Sequence, residues 1–146
     1  MQDVMRTKQG FFALAGFPGV VDAIDCTYVR LYGAPLGNDE PLYVNRKGYH
    51  SINVPVVCDA SFKMTNVVAR WPGSTHDSAI LHGSRPGEMF ETGRSHRRVR
   101  VTVEQVFGQL KWKFPCLSLG LHVAPRRACQ IIRACCVQYC KGAERA

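Results

Sequence analysis

Two stretches toward the C-terminus place apolar residues at helical spacing. Val99, Val103, Val106, Phe107 and Leu110 predict a basic amphipathic helix over roughly residues 97–112. From Pro125 onward, Ala128, Ile131, Ile132, Cys135, Cys136 and Tyr139 recur at i, i+3, i+4, i+7, i+8 and i+11. That is one continuous buried stripe, and Pro125 is a good first helical residue. The N-terminal half follows strand patterns instead. Residues 20–32 are nearly continuous in apolar and β-branched side chains, as expected of a strand buried on both faces. A second strand is expected over residues 50–59, with Ile52, Val54, Val56 and Cys58 on one side, and a third over residues 63–71. The pair reads as an antiparallel hairpin. Pro72-Gly73 ends it, and Ser74 or Thr75 can cap a short helix reaching about His82. Residues 33–48 and 83–95 read as loops, and residues 1–16 as the tail of a helix. One domain that combines strands and helices is expected.

The chain has 146 residues and 46% apolar content, enough for one domain with a real core. Its net charge of +8 is unevenly spread. Residues 1–93 carry 8 Lys/Arg against 9 Asp/Glu, whereas residues 94–146 carry 11 against 2. A localised cationic segment of this kind suits a polyanion, nucleic acid above all. The seven cysteines include no C-x-x-C pair, and the cluster Cys129, Cys135, Cys136 and Cys140 fits no common zinc spacing, so core packing is the better reading. A reducing compartment is expected. The longest apolar stretch, residues 11–21, is broken by Gly16, Pro18 and Gly19 and is too short to span a membrane.

Three acids stand in informative frames. Asp25 lies in the apolar run 20–29, where an unpaired buried carboxylate is costly, so it is either a hydrogen-bonded structural residue or a cation ligand. It shares a strand face with Ala23, Thr27 and Val29, while Asp22 points to the other side. Asp77 closes Ser74-Thr75-His76-Asp77, a helix-start pattern, so on motif alone capping is the stronger reading. Glu104 shares a helix face with Arg97, Arg100, Gly108 and Lys111. It reads either as a weak surface pair with Arg100 or as a metal ligand ringed by cations. Carboxylates converging from three elements would suit a hard divalent cation, which takes oxygen ligands.

The frames around these acids resemble a known family. Gly19-Val-Val-Asp-Ala-Ile-Asp-Cys-Thr-Tyr-Val29 resembles the first-aspartate strand of the Harbinger transposase-derived nucleases of the DDE superfamily. Tyr43-Val-Asn-Arg-Lys-Gly-Tyr-His-Ser-Ile-Asn53 is similar to their "VNRKG-x-HS-x-N" segment, and Ala69 to Leu81 to their "WPGS-x-HDS-x-IL" motif. The helix from Val103 to Leu117 resembles the one bearing the family's catalytic glutamate. The likeness runs over about residues 8–140. It implies an α/β, RNase H-like fold, a mixed sheet with flanking helices, and a divalent cation, Mg²⁺ or Mn²⁺. By motif, the metal falls to Asp25, Asp77 and Glu104, with Asp25 and Glu104 catalytic. The implied chemistry is attack of metal-activated water on a DNA phosphodiester.

Departures from the family are as specific. Residues 83–95 pass directly to the Glu104 helix, where relatives carry a strand ending "LLGD-x-GY", so one core catalytic aspartate is missing. Tyr28 replaces a usual His, Asp22 a usual Gly, and Pro55 stands where relatives have a sheet donor. The leading expectation is therefore a Harbinger-derived, metal-dependent DNA nuclease domain, impaired by that loss. The alternative is a non-enzymatic DNA- or protein-binding remnant. Arg97, Arg98, Arg100, Lys111 and Lys113 are the expected phosphate contacts. The resemblance further implies a nuclear protein, with the cytoplasm as a second compartment. A DNA-binding partner protein is expected, since the family's N-terminal DNA-binding region has no counterpart here. Loss of a neighbouring strand would also leave segment 20–32 as an edge through which copies self-associate.

Overall fold

A computed structural model describes residues 23–33, 36–59, 61–82 and 97–144, without the side chains of 81–82, 97–101 and 143–144. The elements, in chain order, are strand β1 (Ala23–Arg30), helix α1 (Glu40–Tyr43), strands β2 (Ser51–Cys58), β3 (Met64–Val67) and β4 (Trp71–Pro72), and helices α2 (Asp77–His82), α3 (Arg97–Lys113), α4 (Pro115–Leu119) and α5 (Pro125–Glu144). β2 lies at the centre of the sheet. It pairs antiparallel with β1 along its whole length, from Ala23–Cys58 to Arg30–Ser51. On its other side it pairs with β3 and then with β4. All these strand pairs are antiparallel; an isolated parallel bridge joins Leu31, just beyond β1, to Leu121.

One sheet face carries the core. Ala23, Val29, Ile52, Val54, Val56 and Cys58 point toward α3 and α5, where Val103, Val106, Phe107, Leu110, Ala128, Cys129, Ile132, Cys135, Cys136 and Tyr139 complete it. The helical stripes read from spacing are therefore the buried ones, although Ile131 is only partly covered while Cys129 is buried. Val99 lies outside the residues whose side chains are described. Tyr139 Oη donates to Gln109 Oε1 at 2.7 Å and joins α5 to α3. Burying an aliphatic side chain such as Ile132 contributes roughly 1.5–3 kcal/mol.

Two expectations change. The strand buried on both faces is β2, every residue of which is buried, whereas β1 is mostly half-buried. Apolar continuity cannot tell which of two strands becomes central. β2 gains that place because neighbours flank both its edges and the Asn45 turn, the 73–76 turn and α2 meet the face opposite the core. Residues 20–22 of the expected first strand, Asp22 among them, lie outside the described residues. The single third strand expected over 63–71 is two pieces. Pro55 lies across from the break, because it has no N–H to offer there and makes only the bond from Val68 N–H to its carbonyl, at 3.2 Å. Two short helices were not legible. α1 has proline in its first turn and no buried residue, and α4 has five residues.

Two glycines meet steric demands. Gly120 ends α4 at φ +105°, and a side chain there would press into the Tyr32 ring. In the Trp-Pro-Gly-Ser turn, a Cβ on Gly73 would lie 2.6 Å from Tyr43 O and 2.8 Å from Ser51 O, both backbone atoms. Gly73→Ala is therefore expected to destabilise the domain by about 1–3 kcal/mol. Gly108→Ala is expected to stabilise it by about 0.5–1 kcal/mol, because Gly108 is helical with nothing within 4 Å of its missing Cβ. Denaturant titration of the two variants checks both signs.

Candidate active site

Register fixes where Asp25 stands. Leu31 N–H donates to His50 O at 2.9 Å, so the odd-numbered residues of β1 direct their backbone groups at β2. The N–H and C=O groups of Ile24, Cys26, Tyr28 and Arg30 then point to the outer edge. Three of these groups have partners other than a strand. Asp25 Oδ1 accepts the Cys26 N–H at 2.8 Å. Lys111 Nζ donates to Tyr28 O at 3.1 Å. Leu121 N–H donates to Arg30 O at 2.8 Å. Asp25 is opposite Val56, so its side chain leaves β1 on the helix-bearing face and folds back over the edge.

Asp77 stands on the other face. Asn53 is opposite Tyr28, and its Nδ2 donates to Asp77 Oδ1 at 2.8 Å and to Thr75 O at 3.1 Å. This carboxylate oxygen is thus turned to the sheet; α2 itself begins with the bond from Ile80 N–H to His76 O at 3.1 Å. In the first turn of α2, the charge of Asp77 also suits the helix dipole. The Cys26 thiol reaches the same carboxylate. Burial first, then the charges of Asp77 and Asp25 and the hydrogen bond to Asp77, push its pKa up to about 12. Cys26 is therefore a held, protonated thiol at neutral pH. Asn53 Oδ1 is buried with no hydrogen-bond partner among the described residues.

Glu104 projects from the exposed side of α3. Lys111 is two turns further on the same helix face, since seven residues nearly complete two turns. Lys111 is half-buried, and its pKa is lowered first by burial and then by the neighbouring Lys47 charge. Lys113 sits at the helix end with Nζ 5.8 Å from the centre of the Phe114 ring. The side chains of Arg97, Arg98 and Arg100 lie outside the described set; their backbone forms the first turn of α3.

Asp25 and Glu104 thus come from the helix-bearing side of the sheet, and Asp77 from the opposite side, with the Cys26 position between the two aspartates. Among the described residues, no three His, Cys, Asp or Glu side chains form a group that could hold a metal ion. The three acids do not fit a single Mg²⁺ site in this arrangement, because Mg–O bonds of about 2.1 Å demand oxygens drawn around one point. Cysteines of the C-terminal cluster pack into the core instead: Cys129, Cys135 and Cys136 are buried, and Cys140 Sγ points at Met64 O at 3.8 Å. Cys26, Asn53, Arg30 and Tyr32 were not singled out from sequence, and Tyr28 only as a departure from the family. The alternating strand spacing of Tyr28, Arg30 and Tyr32 was a usable signal.

Residues 24–93 and 86–138 match the model of the DDE superfamily endonuclease family, and the chain belongs to that family. It is 46% identical over 90 residues to "Putative nuclease HARBI1" of Rattus norvegicus, covering 62% of this chain and 25% of the relative. To the Xenopus laevis protein of the same name it is 38% identical over 112 residues, covering 76% and 31%. Identity to "Protein ALP1-like" of Arabidopsis thaliana is 25% over 87 residues, covering 60% and 21%. The chain thus spans about a fifth to a third of the length of these curated relatives. No solved structure matches it. These likenesses make it a member of a transposase-derived nuclease family, in a superfamily that generally uses divalent metals.

Two outcomes follow from the Cys26–Asp77 contact. In the folded protein at pH 8, Cys26 should resist iodoacetamide, and Asp77→Asn should speed its labelling by removing a neighbouring negative charge. Equal labelling rates by peptide mass mapping would refute the contact. The raised pKa also sets a sign for stability. Below the ordinary thiol value of 9.0 the group is protonated in both states; above it, the unfolded chain ionises while the fold keeps the proton. Stability is therefore fully present below pH 9.0 and lost as pH rises toward about 12. Cys26→Ala should flatten that fall in melts between pH 8 and 11.

Proposed function

We propose that this DDE superfamily endonuclease segment carries part of a metal-dependent DNA-hydrolysing centre, and that by itself it binds DNA without cutting it. The observation that carries the reading is the outer edge of β1. In the RNase H-like order implied by the resemblance, the strand bearing the second catalytic aspartate stands at that edge. Here Asp25, Lys111 and Leu121 hold its backbone groups. A family match in two segments that meet at residues 86–93 supports an interruption at the same place.

Asp25 and Glu104 keep the catalytic assignment, on one side of the sheet. Asp77 takes a supporting part, holding Asn53 and Cys26. Mg²⁺ or Mn²⁺ at Asp25 and Glu104 would need a further protein oxygen, which a strand docked on β1 could bring. DNA contact falls to the basic C-terminal segment: Arg97, Arg98, Arg100, Lys111 and Lys113 on α3, with exposed Arg126, Arg127, Arg133 and Lys141 on α5. Lys111 contributes while anchored to Tyr28 O. This reading expects a nuclear protein and a DNA-binding partner protein that supplies target sequence. It also expects slow self-association, since a second copy pairing along β1 must first displace Asp25 and Lys111 from the edge.

The test joins binding with cleavage. A 30-base-pair duplex should bind without sequence preference, with affinity falling steeply as salt rises. Replacing Arg97, Arg98 and Arg100 with Ala should reduce the slope of log K against log salt by about 2–3. Supercoiled plasmid should survive Mg²⁺ or Mn²⁺. Inserting a relative's "LLGD-x-GY" segment between Gly93 and Arg94 should bring metal-dependent nicking that Asp25→Asn removes. A flat salt dependence rules out the phosphate-contact reading, and nicking by the unmodified chain that Asp25→Asn abolishes rules out the incomplete centre.

A further inference from the structure

The even-numbered face of β1 carries Cys26, Tyr28, Arg30 and, just beyond the strand, Tyr32. From Tyr28 outward their side chains join with two loop residues into a continuous series of rings and guanidinium. The Tyr28 and Tyr49 rings meet edge to face at 6.4 Å. Arg30 Cζ lies 4.8 Å from the Tyr49 ring centre and 4.6 Å from that of Tyr32. Tyr32 in turn stacks on His122, with centres 5.1 Å apart and planes 19° from parallel. Arg30 and His122 are exposed.

Holding loops in place does not require this series. The turn that carries Tyr49 is already fixed by buried Asn45, whose Oδ1 accepts the Lys47 N–H at 2.9 Å and whose Nδ2 donates to Ser51 Oγ at 2.9 Å. The segment carrying His122 is fixed by backbone bonds of 2.8 Å between Leu121 and the Arg30–Tyr32 stretch. Both segments thus have hydrogen bonds of their own that fix them, and the exposed members of the series, Arg30 and His122, are left open to a ligand. Cations border it. Arg46 is close enough to Tyr28 to oppose the rise of its phenol pKa, and Lys47 is close enough to help lower that of Lys111. No carboxylate among the described residues forms an ion pair with Arg46 or Lys47. At the Tyr28 end the series is bounded by Asp77.

We propose that Arg30, Tyr32, Tyr49 and His122 form a stacking platform for the unpaired bases of a single DNA strand, with its phosphates against Arg46 and Lys47. Exposed Arg30 and His122 can offer a guanidinium and a ring face to bases at the rim of the internal stack that already covers Tyr32, and base faces are accessible only where a strand is unpaired. A duplex hides those faces and is read through groove edges and phosphates instead. The platform leads along β1 toward Cys26 and Asp77, so a bound strand would end beside the supporting acid, on the sheet face opposite Asp25. This deepens the DNA-binding reading above and rests on it, but uses residues that the duplex contact does not.

The experiment measures anisotropy of fluorescein-labelled dT20 and of a 20-base-pair duplex over a range of salt. Arg30→Lys keeps the charge and loses the plane. It should weaken dT20 binding about five- to tenfold and leave duplex binding unchanged. His122→Ala, at an exposed position, should weaken dT20 in the same direction. Replacing Arg46 and Lys47 together with Gln should lower the single-strand salt slope by about 1.4. Thermal melts run alongside, and a purely structural role would lower the melting temperature without changing dT20 affinity. Unchanged dT20 binding in Arg30→Lys and His122→Ala overturns the platform, as does a wild type that binds duplex but not dT20. A wild type that binds neither overturns the DNA reading itself.

Discussion

The burial of β2 on both faces and along both edges organises everything else. A strand in that position must have every backbone group paired and every side chain packed, because water reaches none of it. Its core-side residues, Ile52, Val54, Val56 and Cys58, receive α3 and α5. Its other side, with Ser51 and Asn53, receives the Asn45 turn and α2. Its ladder is irregular at two places: the register with β3 shifts between Val57 and Cys58, and opposite Pro55 the neighbouring strand breaks into β3 and β4. The chain thus absorbs a missing N–H by splitting an edge strand and keeps the central one whole.

β1 depends on β2 alone for strand pairing among the described residues, and its outer edge shows how a fold manages unpaired backbone. Lysine is a favoured guard for such edges, because burying a charged chain discourages a second strand. Lys111 does this from a neighbouring helix, and its lowered pKa reflects how far the ammonium is drawn out of water. Asp25 acts from within the strand. A residue that the family resemblance assigns to catalysis thus also guards an edge, and a strand adding there would have to release both. The edge and the candidate centre are physically one place.

Charge is arranged around this place in an ordered way. Burial first, and then the carboxylates of Asp77 and Asp25, raise the pKa of the Cys26 thiol, which keeps its proton well above neutral pH. Cations lie further out, on the helices and on the Asn45 turn.

Much of this was legible in the chain. Helical spacing in 125–139 identified α5 and its buried stripe, because a helix face that packs must repeat every three to four residues whatever it packs against. The frames around Asp25, Asp77 and Glu104 identified the family for the same kind of reason: local motifs are carried by contiguous residues. What no spacing could supply was which strand lies at the centre, since β1 and β2 are both apolar runs and only pairing partners separate them. Nor could it show that Asp25 and Asp77 emerge on opposite faces, which depends on the register that sets Tyr28 against Asn53. Arg30, Tyr32, Tyr49 and His122 are scattered over more than ninety positions and meet only because β1, the Asn45 turn and the Leu121 bridge close on one another. The sequence determined most of the elements and the family, because both are carried by contiguous residues; tertiary packing decided which strand lies at the centre and which side chains meet the outer groups of β1.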